Sequence, residues 1–276
     1  MSRFEEGQRV LLLDRKGRRY LIILAAGSSF HSHAGWFPHD SLIGQDEGVE
    51  VRTTAGARYV AVRPTLSDFV LKMPRGAQVI YPKDLGQILV VADVFPGARI
   101  LEAGVGSGAL SMTMLRAGAE VYGYEVRADF AARARANVES FLGPEAVGRF
   151  HVADKDVYEG IAETALDRIV LDLPEPWRVV DHAVGALRRG GLMVAYLPTI
   201  NQVAQLREAL EGGAFVQAET LEVLLRTWHV EGRSVRPDHR MVAHTGFLTH
   251  ARFIGARVDR DEQGPDPNPG LKPPFR

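Results

Sequence analysis

Three glycines at alternate positions carry the clearest chemical signal in the sequence. They follow the short apolar run 99–103 and precede 109–115, a run of residues that favour helix. Strand, glycine turn and helix in this order predict a loop whose backbone approaches a bound ligand closely, because glycine has no Cβ to hold the ligand away. We therefore expect a nucleotide-type cofactor to lie against Gly104, Gly106, Ser107, Gly108 and Ala109.

Two glutamates bear on which cofactor this is. Glu102 stands two residues before the first glycine, where its charge would repel a pyrophosphate but suit a sulfonium. Glu125 ends the next apolar strand, 120–124, where a carboxylate can accept from both ribose hydroxyls of either NAD or S-adenosylmethionine. Glu102 and the lack of a Gly-x-Gly-x-x-Gly spacing favour S-adenosylmethionine. The alternatives are a helix-dipole partner for Glu102 and a solvated strand end for Glu125.

Two aspartates follow the same arrangement further along the chain. Asp154 ends the predicted strand 150–153, and Asp172 lies at the end of the predicted strand 169–173. In an open α/β sheet, ligands bind beyond the carboxyl ends of the strands, so both acids should join Glu102 and Glu125 around one crevice. We expect Asp154 to accept from an adenine amino group, with a helix cap or a loop carboxylate as its alternative.

Composition narrows the class of protein. A chain of 276 residues with 46% hydrophobic and 24% charged residues has room for one large globular domain and a small one. Without cysteine it has no disulfide, thiolate zinc site or iron–sulfur cluster. No stretch resembles a signal peptide or a membrane span, which predicts a cytoplasmic protein. The net charge of −1 confines any nucleic-acid site to a local patch.

One such patch is the tip between the apolar runs 10–13 and 20–24, which read as a β-hairpin. Its four basic residues either contact RNA phosphates or are simply solvated; they are Arg15, Lys16, Arg18 and Arg19. Histidines 31, 33 and 39 lie in a turn-rich segment, but no cysteine or carboxylate completes a ligand set, so no metal is predicted.

The pattern of elements predicts an α/β protein with four regions. These are a small β domain over 1–64, linking helices over 65–98, the cofactor-binding domain over 99–258 and a disordered tail over 259–276. Pro82 should begin a helix, with Asp84 in its first turn. Tyr81, just before it, either covers the cofactor, stacks on a substrate base or only packs. Residues 219–229 and 239–251 are expected to close the sheet as antiparallel strands.

Several stretches resemble the bacterial and actinobacterial tRNA (adenine-58-N1)-methyltransferases. The Tyr-Pro-Lys-Asp motif at 81–84 and the aspartate followed by Pro-Trp at 172–177 are the most specific of them. Further matching stretches, between about residues 8 and 253, are 30–33, 73–76, 101–110, 236–237 and 244–248.

The resemblance implies a Rossmann-like class I methyltransferase domain with a mostly parallel seven-stranded sheet, an antiparallel closing strand and a small N-terminal β domain. It also implies a homotetramer that uses S-adenosylmethionine to methylate N1 of the T-loop adenosine of tRNA. Residues 104–109 would wrap the cofactor, Glu125 would hold its ribose, Asp154 its adenine, and Asp172 would face the target base. Two departures are a short 115–119 segment and Phe130, where relatives often have a polar residue; this puts a side-chain contact from position 130 in doubt.

Under this hypothesis Asp172 accepts from the adenine N6 amino group and stabilises the positive charge that develops on the base. Tyr81 and Trp177 are candidates to replace the stacking lost when the base is extruded, although Trp177 could equally be a structural wedge. Competing classes are a protein or small-molecule methyltransferase, a nicotinamide-dependent oxidoreductase and a non-catalytic tRNA-binding subunit. Because the glycines, Glu125 and Asp172 are all present, we expect a catalytic chain that needs no separate partner subunit.

Overall fold

The N-terminal region consists of antiparallel hairpins around an aromatic core. The computed structural model describes residues 3–76, 78–211 and 213–255. The predicted hairpin, β1–β2, is confirmed, and a second hairpin, β5–β6, joins it in one sheet with the order β2-β1-β6-β5. The segment predicted to be rich in turns contains a further hairpin, β3–β4, and a one-turn 3-10 helix, His39–Ser41. The strands are β1 (Arg9–Asp14), β2 (Arg19–Ile23), β3 (Ser29–Ser32), β4 (Gly35–Pro38), β5 (Glu50–Arg52) and β6 (Arg58–Val62).

Two helices connect this region to the large sheet. Thr65 and Asp68 form a reciprocal capping box at the start of α1 (Leu66–Lys72), an arrangement that stabilises a helix by about 1 kcal/mol. The second helix, α2 (Pro82–Val91), begins at the predicted proline, and Tyr81 is its N-cap residue. This start fixes Tyr81 at the junction of a loop and a helix.

The remaining elements form a seven-stranded sheet covered by helices on both faces. The strands in the order β12-β15-β11-β10-β7-β8-β9 are parallel to one another except for β15. Its strands are β7 (Arg99–Ala103), β8 (Glu120–Tyr124), β9 (Phe150–Ala153), β10 (Leu166–Leu171), β11 (Leu187–Leu197), β12 (Phe215–Glu222) and β15 (Phe247–Phe253). Its helices are α3 (Ala109–Arg116), α4 (Ala128–Leu142), α5 (Pro144–Val147), α6 (Val180–Ala186) and α7 (Ile200–Leu210), with 3-10 turns at Val157–Glu159 and Pro176–Val179. The predicted fold class is confirmed.

The closing strands are shorter than the sequence pattern indicated. We predicted strands over 219–229 and 239–251, but β12 ends at Glu222 and β15 begins at Phe247. The residues between them form a separate two-stranded hairpin, β13 (Trp228–Glu231) and β14 (Ser234–Pro237). Alternation continues through this hairpin, so periodicity alone could not show that it leaves the sheet. We call residues 223–246 the arm.

Two apolar cores cover the two faces of the sheet, and a third fills the N-terminal region. No helix within 3–76, 78–211 or 213–255 is long and apolar enough to cross a membrane. The tail predicted to be disordered, 259–276, and residues 256–258 lie outside the described residues. The four region boundaries therefore stay predictions. The strand order reverses at β7, between β8 and β10, which is where α/β sheets open a crevice for ligands.

Candidate active site

The glycine loop, residues 104–108, needs glycine at each of its three positions for a different reason. All three have positive φ, +84° at Gly104, +55° at Gly106 and +83° at Gly108, where other residues are strained. A Cβ at Gly108 would press on the backbone of Ala134 in α4, at 3.2 Å. A Cβ at Gly106 would meet no atom within 4 Å, so this glycine faces open space. The loop therefore exposes backbone to the crevice at its centre.

Gly104 brings the loop against Asp172. A Cβ at position 104 would lie 2.1 Å from the Asp172 carbonyl oxygen, a backbone atom that cannot turn aside. The Asp172 N–H donates to the Ala103 carbonyl at 2.9 Å, and Asp172 follows the last residue of β10 directly. Asp172 and the loop also line one narrow cavity together with residues 78–80. The predicted base-facing acid is thus fixed beside the predicted cofactor loop.

Glu125 ties the glycine loop to the end of β8. Its carboxylate accepts from the backbone N–H of Gly106 at 2.9 Å and of Arg127 at 3.0 Å. The residue is 7% exposed, which excludes the alternative of a freely solvated strand end. Each oxygen keeps a lone pair for a further donor, such as a hydroxyl of a bound ligand.

Glu102 is fully buried beneath the loop. One carboxyl oxygen accepts from the Ser111 hydroxyl at 2.5 Å, while Oε1 has no hydrogen-bond partner among the described residues. Burial, and then the nearby Asp172 and Glu125 carboxyls, raise the pKa of Glu102 to about 8. The Ser107 hydroxyl, in the loop itself, is likewise buried without a partner in the described part of the chain. Unpartnered buried polar atoms are costly, so these two mark a place prepared for a ligand.

Beyond Glu125 the crevice continues into two adjoining hollows. The inner one, about 220 Å³, is lined by Gly104, Glu125, Lys155, Asp156 and mostly apolar neighbours. The outer one, about 610 Å³, contains Asp154, which is exposed and follows β9 directly. Sequence reasoning missed Asp156, whose carboxylate also caps the turn at Tyr158 N at 2.9 Å. The role predicted for Asp154 stays a prediction.

A buried ion pair lies in the first turn of α2, close to Tyr196. The side chains of Lys83 and Asp84 are 3% and 0% exposed and lie 2.8 Å apart. Lys83 also donates to the Val223 carbonyl at 2.6 Å, and the Thr245 hydroxyl donates to Asp84 at 2.7 Å. Both ends of the arm are therefore bonded to the first turn of α2, next to Tyr81.

Tyr196 lies close to this ion pair, although sequence reasoning did not single it out. It lies near the end of β11, and its hydroxyl donates to the Thr245 carbonyl at 2.6 Å. Gly246 leaves room for its ring, since a Cβ there would lie 2.5 Å from Tyr196 Cζ. Burial, with added repulsion from Asp84 and Asp172, raises the pKa of Tyr196 to about 12. We call Tyr81, Tyr196, Thr245 and the Lys83–Asp84 pair the tyrosine wall.

Asp172 occupies the space between the glycine loop and the tyrosine wall. It is partly buried, and burial raises the pKa of its carboxyl to about 7. A carboxyl with this pKa changes charge within the physiological range and, when ionised, accepts hydrogen bonds from a polar ligand.

The remaining candidates from the sequence are the basic residues of the hairpin tip, Trp177 and the histidines. At the hairpin tip, Arg18 pairs with Asp14 at 2.6 Å and Arg19 with Asp68 at 2.8 Å, whereas Arg15 and Lys16 have no ion pair among the described residues. Trp177 is partly buried and packs against one of the two apolar cores of the sheet, and its role stays a prediction. Within the described ranges, no group of histidine and acidic side chains could hold a metal ion.

Comparison with known proteins places this arrangement in a family. Residues 58–241 match the model for the tRNA methyltransferase complex GCD14 subunit, and residues 3–51 match the TrmI-like N-terminal domain. A tRNA (adenine(58)-N(1))-methyltransferase TrmI from Thermus thermophilus is 42% identical over 246 residues, covering 88% of this chain and 96% of the relative.

Solved structures agree with this match. TrmI of Aquifex aeolicus, described as a tRNA (m1A58) methyltransferase, superposes with a TM-score of 0.81 at 29% identity, covering 92% of this chain and 100% of the other. A SAM-dependent O-methyltransferase of Thermotoga maritima superposes with a TM-score of 0.88 at 33% identity, covering 92% and 96%. From its fold, its crevice and these similarities, we conclude that the chain belongs to the tRNA (adenine-58-N1)-methyltransferase family.

Proposed function

We propose that this protein transfers the methyl group of S-adenosylmethionine to N1 of adenosine 58 in the T loop of tRNA. The observation that carries the proposal is the position of Asp172, which lies against Gly104 of the glycine loop and close to Tyr196. A carboxylate in this position could accept from a base amino group next to a cofactor bound at the loop, which supports the proposal. The similarity to enzymes named for this reaction supports the choice of base.

The residues around the glycine loop suit S-adenosylmethionine. Open space beside Gly106 admits the ligand, and Glu125 retains acceptor capacity for its ribose hydroxyls. The unpartnered Glu102 Oε1 and Ser107 hydroxyl add polar groups under the loop. The contacting set would be Glu102, Gly104, Gly106, Ser107, Gly108, Ala109, Glu125, Asp154 and Asp172.

When bound, S-adenosylmethionine supplies an electrophilic methyl group on a sulfonium, which adenine N1 accepts with its in-plane lone pair. Because N1 carries no proton to be removed, the chain mainly has to align the two reactants. The Asp172 carboxylate accepts from the N6 amino group and so turns N1 toward the donor. As positive charge moves onto the base, the attraction to Asp172 grows, which lowers the barrier.

The target adenosine stacks inside folded tRNA, so it must be extruded into the crevice. The rings of Tyr81 and Tyr196 replace the lost stacking from the side opposite the glycine loop. Trp177 supports the loop after Asp172 from behind. Arg15 and Lys16, the unpaired cations of the hairpin tip, contact tRNA phosphates, and binding weakens with salt.

The enzyme acts in the cytoplasm as a homotetramer and needs no separate partner subunit. The arm supports self-association because it exposes a run of large apolar side chains that a monomer would leave in water. These are Leu224, Leu225, Trp228, Val230, Val235, Met241 and Val242, between 43% and 70% exposed. Light scattering should give the mass of four chains, and Trp228→Ser with Val230→Ser should lower it.

Methyl transfer itself is tested with unmodified tRNA transcript and labelled S-adenosylmethionine, followed by digestion and mass spectrometry of the nucleosides. The proposal expects 1-methyladenosine at the T-loop position. A 2′-O-methylated nucleoside would instead favour the acceptor chemistry in the name of the Thermotoga relative. Bound S-adenosylmethionine without any transfer to tRNA would contradict the proposed acceptor.

A further inference from the structure

A cleft of about 460 Å³ opens where the N-terminal sheet meets α3 and α4, away from the crevice. Three arginines from three different elements line it: Arg9 on β1, Arg63 just after β6 and Arg116 at the end of α3. The other lining residues are polar or apolar, with no carboxylate among them. The cleft is therefore a concentration of positive charge in a protein whose net charge is −1.

Two of these guanidinium groups rest on a stacked pair of phenylalanines. Arg9 lies 4.9 Å from the centre of the Phe69 ring, and Arg116 lies 6.0 Å from the centre of the Phe141 ring. The two rings stack face to face, 4.6 Å apart with an interplanar angle of 5°. A guanidinium that packs its face on a ring keeps the N–H groups at its edge for a ligand. The pair thus holds both cations in place before any ligand arrives.

The charges in the cleft are not balanced from within. Arg63 pairs with Glu47 at 3.1 Å, whereas neither Arg9 nor Arg116 is paired with a carboxylate in the part of the chain that the structure describes. Arg9 donates from Nε to the Ser140 hydroxyl at 2.5 Å, and burial lowers the pKa of its guanidinium. Arg9 is partly buried, and a partly buried cation without a counter-charge is costly unless an external anion neutralises it.

We propose that this cleft binds a phosphodiester of the tRNA backbone, an inference that rests on the proposed function. Helix α3 begins at the glycine loop and ends at Arg116 in the cleft, and its eight residues span about 12 Å. Helix α4 packs against the loop at Ala134 and Asn137 and reaches the cleft at Ser140. The length of α3 corresponds to a few nucleotide steps along one strand. A tRNA whose adenosine enters the crevice reaches the cleft with a neighbouring part of its backbone.

The test measures binding of unmodified tRNA transcript by fluorescence anisotropy over a range of salt concentrations, using Arg9→Gln, Arg116→Gln and the double variant. Each lost phosphate contact should weaken binding about tenfold and reduce the slope of log affinity against log salt by about 1. Arg252→Gln is the matched control, because this exposed arginine lies on β15, an element that contributes no residue to the cleft. Affinity for S-adenosylmethionine should stay unchanged in all variants.

If Arg9→Gln does not fold, the proposal is tested with Arg116→Gln alone, because Arg116 is exposed. Unchanged tRNA affinity and salt slope in a folded Arg116→Gln protein would overturn the proposal. Inorganic phosphate that binds the wild type but not the variants, while tRNA affinity and salt slope are the same in all of them, would also overturn it, because this result would assign the cleft to free phosphate. If wild-type protein binds no tRNA at all, the proposed function fails, and this outcome is distinct from failure of the cleft alone.

Discussion

On one side of the crevice, the glycine loop, Glu125 and Asp172 are joined largely by backbone groups of neighbouring strands and turns. On the other side, the tyrosine wall is joined by side chains whose positions in the chain lie far apart. Asp84 and Thr245 meet across 161 positions, and Lys83 reaches the Val223 carbonyl across 140.

This difference predicts how substitutions on each side of the crevice affect ligand affinity and folding. Backbone contacts on the glycine side survive most side-chain changes, so substitutions there should alter ligand affinity more than folding. The tyrosine wall depends on one buried ion pair, so substituting either residue leaves the other charge buried without its partner. Substitutions on both sides of the crevice test this contrast, and Asp172 is expected to give the largest effect.

The largest effect is expected from Asp172→Asn. Turnover on tRNA should fall about 1000-fold because the amide carries no charge to stabilise the developing cation. The dissociation constant for S-adenosylmethionine, measured by calorimetry, should change far less. Glu175→Gln, a nearby acid paired with Arg178 at the surface, is the control and should remain close to wild type. Near-normal turnover in Asp172→Asn would remove this residue from the mechanism.

Lys83→Met should destabilise the protein by about 3 kcal/mol, because it leaves the Asp84 carboxylate buried without its partner. The double variant Lys83→Met with Asp84→Leu should recover much of that loss in urea unfolding. Its turnover should stay low, because Thr245 and hence Tyr196 lose their anchor. If the double variant were fully active, the ion pair would serve folding alone.

The pH dependence follows from Asp172, whose pKa is raised to about 7. If the ionised form is needed, kcat/KM should fall about tenfold between pH 8 and pH 6. The native state binds this proton more tightly than the unfolded chain, so the free energy of unfolding should decrease as pH rises from about 4 toward 7. In Asp172→Asn, the part of each pH dependence that comes from this carboxyl should be lost, both for kcat/KM and for the free energy of unfolding. A flat rate profile in the wild type would contradict the assignment.

A smaller effect, about fivefold, is expected from Glu125→Gln. The amide keeps the shape but weakens the bond to the Gly106 N–H and to the ligand hydroxyls, so affinity for S-adenosylmethionine should fall while the melting temperature barely moves. Turnover at saturating cofactor should stay close to wild type. A large loss of stability would mean that the glycine side is no more tolerant than the tyrosine wall.

The same contrast explains how far the sequence could predict the site. Gly104, Glu125 and Asp172 were identified because each stands at a strand end, and strand ends follow from local apolar patterns. Tyr196 was missed because its neighbours depend on β11 pairing with β15, a pairing between distant stretches of chain. The closing strands were placed too broadly for a related reason, since alternation continues into the arm after it has left the sheet. Local apolar patterns show which residues stand at strand ends, whereas the partners of Lys83 and Asp84 can be seen only in the tertiary structure.

The close approach of Gly104 to the Asp172 carbonyl couples the position of the glycine loop to the position of Asp172. In a genetic screen, a side chain at position 104 would displace the strand end that carries the acid, so it should behave like a loss of the acid even when the cofactor still binds. Attempts to redesign the loop for another cofactor would meet the same limit. The distance between the loop and Asp172 depends here on the absence of a single carbon atom, the Cβ of residue 104.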